Sequence, residues 1–147
     1  MKNISQIQCE DQLQDYIIEH SNEIPCSFPN SSKSFLGKEF PEVHAREYFP
    51  YGYSHLGKGD LILKNRQQKR FLVVETKYLT PCSGKTARRK RTEHRKKVKE
   101  QAIKYAKDLQ KRYPDADIYY ASVTNSSHII KINLLDNVSK YSHSESM

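Results

Sequence analysis

Gly59-Asp60-Leu61-Ile62-Leu63 and Phe71-Leu72-Val73-Val74-Glu75-Thr76-Lys77 are the two runs on which the reading of this chain turns. Both are rich in Leu, Ile, Val or Phe, and Asn65-Arg66-Gln67-Gln68-Lys69-Arg70 between them is polar. Apolar strand-forming residues on either side of a short polar break predict a hairpin. With its turn centred between Gln67 and Gln68, Asp60 falls directly opposite Glu75, the two Cβ atoms about 4.5–5.5 Å apart on one face. Alternation along the second strand puts Lys77 on the face that carries Glu75. Three ionisable groups then meet at one end of two strands that are apolar on both faces, as central strands of a sheet are.

Two carboxylates held so close repel each other, and at neutral pH they need a cation between them or a raised pKa. Hard oxygen donors on a sheet suit Mg2+, with Mn2+ as a substitute. The plainer alternative is an edge hairpin on which Asp60, Glu75 and Lys77 are ordinary surface charges. The apolar flanks Leu61-Ile62-Leu63 and Leu72-Val73-Val74 favour the site over that alternative.

In its order of features the chain resembles the PD-(D/E)XK nuclease superfamily. Members have a hairpin with an acid on its first strand and Glu/Asp-x-Lys on its second, then a helix often carrying a Gln, then a further strand. Asp60 matches the first acid, Glu75-Thr76-Lys77 the second motif, and Gln101 in Glu100-Gln101-Ala102-Ile103-Lys104-Tyr105-Ala106 the helix Gln. Gly59 stands where many members have the Pro that names the motif. The resemblance runs from about residue 9 to 134. It implies a mixed central sheet flanked by helices, a restriction-endonuclease-like α-β-β-β-α-β core. It also implies Asp60, Glu75 and the backbone carbonyl of Thr76 as magnesium ligands, Lys77 positioning the attacking water, and Gln101 touching that water or a substrate phosphate. Similar nucleases often add a Glu from the first helix. Of Glu10, Asp11, Asp15 and Glu19, only Glu10 falls in the apolar stripe, about 20° from Ile17 at 100° per residue. The alternative for Glu10 is an interaction with the free amides and dipole of the first helical turn. For Gln101 the alternative is a polar cap on the core edge beside Val98 and Tyr105.

Charge is concentrated rather than spread. The chain carries a net +8. Residues 85–112 hold thirteen Lys or Arg against Glu93, Glu100 and Asp108, a block of +10, so the remainder is −2. Such density predicts a polyanionic partner. The expected partner is nucleic acid, DNA ahead of RNA, a choice the residues themselves leave open. The expected contacts are Lys85, Arg88, Arg89, Lys90, Arg91, Arg95, Lys96 and Lys97. A solvated helix face or a nuclear-import signal at Ala87-Arg88-Arg89-Lys90-Arg91 would use the same residues without a substrate. Ser83-Gly84-Lys85-Thr86 imitates the end of a phosphate-binding loop, but position 79, where the earlier glycine belongs, is Leu79.

Of 147 residues only 36% are hydrophobic, which predicts one domain over 1–138 with a thin core. No long apolar run or signal-like start occurs, so a soluble intracellular protein without membrane contact is expected, in nucleus or cytoplasm. Cys9, Cys26 and Cys82 and the six scattered histidines lack zinc spacing and read as reduced thiols and lone imidazoles.

Helical spacing predicts a first helix over Cys9–Ile24 striped by Leu13, Tyr16, Ile17, His20 and Ile24, and a long helix from about Thr92 to Arg112 that stops before Pro114. Residues 22–38 read as a loop, Tyr48–Tyr53 as part of a first strand, 117–123 and 129–132 as strands, and 139–147 as a disordered polar tail. The reading that follows is a magnesium-dependent endonuclease. Its rivals are a non-catalytic nucleic-acid-binding module of the same fold using the basic helix 85–112, and a structural subunit docking on an acidic protein. The size matches archaeal-type junction resolvases, so a four-way junction enters as a substrate by analogy. A homodimer is compatible with the residues, which leave the number of subunits open.

Overall fold

The computed structural model describes residues 9–30, 32–48, 59–67, 69–78, 85–125 and 128–135, with the backbone alone for Glu10, Tyr48 and 85–95. Along the chain these form α1 (Glu10–Glu19), β1 (Pro25–Ser27), β2 (Lys33–Phe35), α2 (Leu36–Glu39), β3 (Glu42–Tyr48), β4 (Gly59–Lys64), β5 (Arg70–Lys77), α3 (Lys85–Arg112), β6 (Asp117–Thr124), β7 (Ile130–Lys131) and β8 (Asn133–Leu134). The class is mixed α/β.

The hairpin has the expected register: Leu61 faces Val74, Ile62 Val73, Leu63 Leu72 and Lys64 Phe71. Its turn is closed by Asn65, whose Oδ1 accepts from the amides of Lys69 at 2.9 Å and Arg70 at 3.1 Å. This is the local side-chain bonding that makes Asn a turn residue. Three further strands extend the pair into a five-stranded sheet of order β3-β4-β5-β6-β8, antiparallel throughout except for β5 and β6. A parallel pair needs a long crossover, and α3 supplies it.

Alternation sorts the hairpin between two cores. Leu61, Leu63, Leu72 and Val74 pack with Leu13 and Ile17 of α1, Phe40, and Cys26 and Ile130 of a small sheet ordered β2-β1-β7. Ile62, Phe71 and Val73 point the other way, against Tyr105, Ala106 and Leu109 of α3. The large sheet is thus covered on both faces, which is why both strands are apolar throughout.

Several boundaries differ from the sequence reading. The first helix ends at Glu19, and a single 3-10 turn (Ser21–Glu23) follows. Ile24 is extended before Pro25, because a proline disfavours helical backbone in the residue preceding it. The expected loop 22–38 contains β1, β2 and α2. These pieces are three or four residues long, too short for a periodic signal, and β1 is fixed partly by its distant parallel partner β7. The strand that precedes the hairpin in the large sheet is β3, Glu42–Tyr48, rather than the tyrosine-rich stretch, whose remainder lies outside the described residues. His44 is inserted as a bulge between Val43 and Ala45, and it breaks the period-two pattern. The long helix begins at Lys85, seven residues before Thr92. Lys, Arg and Ala are strong helix formers, but no apolar stripe marks that first part. The expected strand 129–132 shrinks to the two-residue β7, and the separate β8 follows it. The polar tail 139–147 lies outside the described residues. Among the described residues, no helix is long and apolar enough to cross a membrane.

Candidate active site at the open end of the hairpin

At the end of the hairpin away from its turn, the ladder stops after Leu61 and Val74 and side chains take over. Asp60 Oδ2 accepts from the Thr76 amide at 2.7 Å and from the Thr76 hydroxyl at 2.9 Å. Glu75 Oε1 accepts from the Asp60 amide at 3.1 Å. Each acid is thus tied to the opposite strand. Glu75 is 3% exposed and Thr76 4%, while Asp60 is half-buried. Charge-assisted bonds to backbone amides orient both groups, and burial of a carboxylate is tolerated only with such partners or a cation.

Behind the acids stands a polar chain that the sequence reading missed. Gln14 of α1, only 2% exposed, approaches the Thr76 hydroxyl with Nε2 at 3.5 Å and receives Arg46 Nε of β3 on its Oε1 at 3.0 Å. Arg46 also bonds the Asp11 carbonyl at 3.3 Å and the Asp15 carboxylate at 2.8 Å. The signal was present: at 100° per residue Gln14 falls between Ile17 and Ile18, a polar residue inside an apolar arc. Glu10 lies one turn before Gln14 on α1, with its side chain outside the described residues. Asp11, Asp15 and Glu19 are exposed.

Lys77, half-buried, ends β5 beside Thr124 of β6. It lines an open cleft of about 420 Å³ with Lys97, Val98, Glu100, Gln101 and Lys104 of α3. Gln101, exposed on α3, is thereby brought to the same cleft as Lys77 although they are far apart in sequence. Lys96 and Lys97 are exposed; Lys85, Arg88, Arg89, Lys90, Arg91 and Arg95 precede them on the same helix.

Among the described residues no three His, Cys, Asp or Glu side chains converge. Asp60 and Glu75 are the two acids that the cross-strand bonds place at this end of the hairpin. Two carboxylates and a backbone carbonyl fit magnesium, which keeps several waters and takes its remaining ligands from substrate phosphates. They do not fit a zinc site built from nitrogen and sulfur. Cys26 is buried, and burial, aided by Glu39, pushes its thiol up to about 11, far from nucleophilic readiness at neutral pH. No protein-family model, curated protein or solved structure matches the chain.

Proposed function

We propose that the chain is a metal-dependent nuclease with a restriction-endonuclease-like core, hydrolysing phosphodiester bonds of nucleic acid, an endonuclease on DNA. The observation that carries this reading is the pair of acids on facing strands, each accepting from an amide of the other strand, with Lys77 at the end of β5 opening on a basic cleft. The succession α1, β3, β4, β5, α3, β6 supports it, since it is the α-β-β-β-α-β order of such a core.

Asp60, Glu75 and the Thr76 carbonyl would hold Mg2+, or Mn2+ in its stead. When bound, the ion would offset charge on the phosphoryl oxygens and acidify the attacking water, effects worth several kcal/mol. The Thr76 amide and hydroxyl fix the pose of the Asp60 carboxylate, and Gln14 backs the hydroxyl. Lys77 orients the attacking water from the β5 side, and Gln101 donates its amide to a phosphate oxygen from the α3 side. The basic first half of α3 draws the strand in through its phosphates, independent of sequence.

A second reading has an observation of its own. Both carboxylates accept amide protons where the ladder ends, a structural task that needs no metal, and a non-catalytic nucleic-acid-binding module would keep them for it. A panel of labelled duplex, single-stranded, flap and four-way-junction substrates separates the two. The nuclease cleaves at least one of them only with Mg2+ or Mn2+, and Glu75→Ala abolishes cleavage while binding survives. Cleavage at the wild-type rate by Glu75→Ala refutes the site, and binding without cleavage across the panel favours the module.

A further inference from the structure

We infer that the cleft between the end of β5 and the middle of α3 is a discrete phosphate-binding site, which takes the backbone of a nucleic-acid strand next to the bond to be cut. Lys97, Gln101 and Lys104 are spaced i, i+4, i+7 and so form one stripe along α3, about 10.5 Å from end to end at 1.5 Å per residue. Lys77 faces that stripe across the cleft from β5, and the buried Val98 lies at its base. Among the described lining residues, Lys77, Lys97 and Lys104 stand with one acid, Glu100.

Among the described residues, the lining contains no aromatic ring on which a base could stack. Lysine also lacks the planar fork that reads a base edge, and it acts on phosphate as a point charge. The chemistry selected is therefore the phosphodiester oxyanion. Lys104 lies outside the densest basic stretch 85–97; its place in the cleft singles it out, where charge density along the chain does not. Lys99 and Lys107 have the same charge on the same helix and are exposed, yet do not line the cleft. The position of the cleft relative to the cut rests on the nuclease reading; anion binding there does not.

The test is anisotropy of a labelled single-stranded oligonucleotide with the full chain in EDTA, as a function of salt. Lys97→Ser with Lys104→Ser should weaken binding about tenfold and flatten the log–log salt slope by about 1.4, since each phosphate contact on a single strand contributes about 0.7. Lys99→Ser with Lys107→Ser should change affinity less than about twofold and leave the slope within 0.3 or so of wild type. Glu100→Gln should tighten binding. Equal losses in the two lysine pairs, or weaker binding by Glu100→Gln, would overturn the site in favour of diffuse attraction. Thermal melts of each variant show that the exposed lysines leave folding intact. The two proposals fail separately. Cleavage that requires Glu75 with unchanged binding by the Lys97/Lys104 variant removes the cleft alone. Selective loss of binding by that variant, in a protein that cleaves nothing, removes the nuclease alone.

Discussion

The two ends of the β4–β5 hairpin handle charge in opposite ways. At the turn end, Arg70 stacks its guanidinium 5.2–5.3 Å from the ring centres of Phe28, Phe40 and Tyr119 and reaches Glu39 at 3.5 Å. A cation there meets ring faces and an opposite charge, so the arrangement is complete in itself. At the open end, two acids, Asp60 and Glu75, accept from amides of the facing strand, beside a cleft edged with lysine. A charge answered by its own fold stabilises the fold. Acids gathered at a strand end beside a cleft are the arrangement on which the proposed site rests.

The comparison breaks most sharply under substitution of the open end. Glu75→Gln, Asp60→Asn and Lys77→Ala should each lower metal-dependent cleavage by about 10³-fold or more, several kcal/mol at roughly 1.4 kcal/mol per decade. Nucleic-acid binding in EDTA should persist. In urea unfolding, Glu75→Gln should cost no more than about 1 kcal/mol in the absence of metal, because the Gln Oε1 can still accept from the Asp60 amide. A large loss of stability would make the pair a purely structural device.

Arg70→Met is the matching test at the turn end. It should cost about 2 kcal/mol of stability by denaturant unfolding, from the lost ring contacts and ion pair. Cleavage per folded molecule should stay at the wild-type rate. A selective loss of cleavage would show that the two ends are coupled through β5.

Gln14→Ala sharpens the contrast from behind the acids. Removing the buried amide leaves Arg46 Nε and the Thr76 hydroxyl short of a partner, at a cost of about 1–3 kcal/mol. Cleavage should fall less than for the acids themselves. Gln14→Glu, which keeps an acceptor for Arg46, should restore part of the stability measured by urea unfolding.

The smallest effect belongs to His44, which bulges from β3 and packs edge-on against Phe71 and Tyr113. Burial, then Lys64 and Arg112, hold its pKa below the ordinary 6.5. With the folded value depressed, the unfolded chain takes up the proton first. The contribution of neutral His44 is therefore complete above about pH 6.5 and is lost as pH falls below it. The melting temperature should drop modestly between pH 7.5 and 5.5. His44→Gln should flatten that slope if His44 is its source, and an unchanged slope would assign it to other groups.

The residues alone determined the hairpin, its register, the juxtaposition of Asp60 with Glu75, and the helical course of Val98, Ala102, Tyr105 and Leu109. These follow from periods of two and 3.6 and from the composition of one turn, all of which act between near neighbours in the chain. What only the tertiary structure decided involves residues distant in sequence. Gln14 became the backing of Thr76 because α1 lies on one face of the sheet; Lys77 and Gln101 came to one cleft because α3 crosses the other. β1 found β7 about a hundred residues away, and Arg70 found three rings from three separate segments. Periodicity states which side of an element seeks burial, but the partner it meets there is chosen by loop closure and packing across the whole chain, which no local pattern contains.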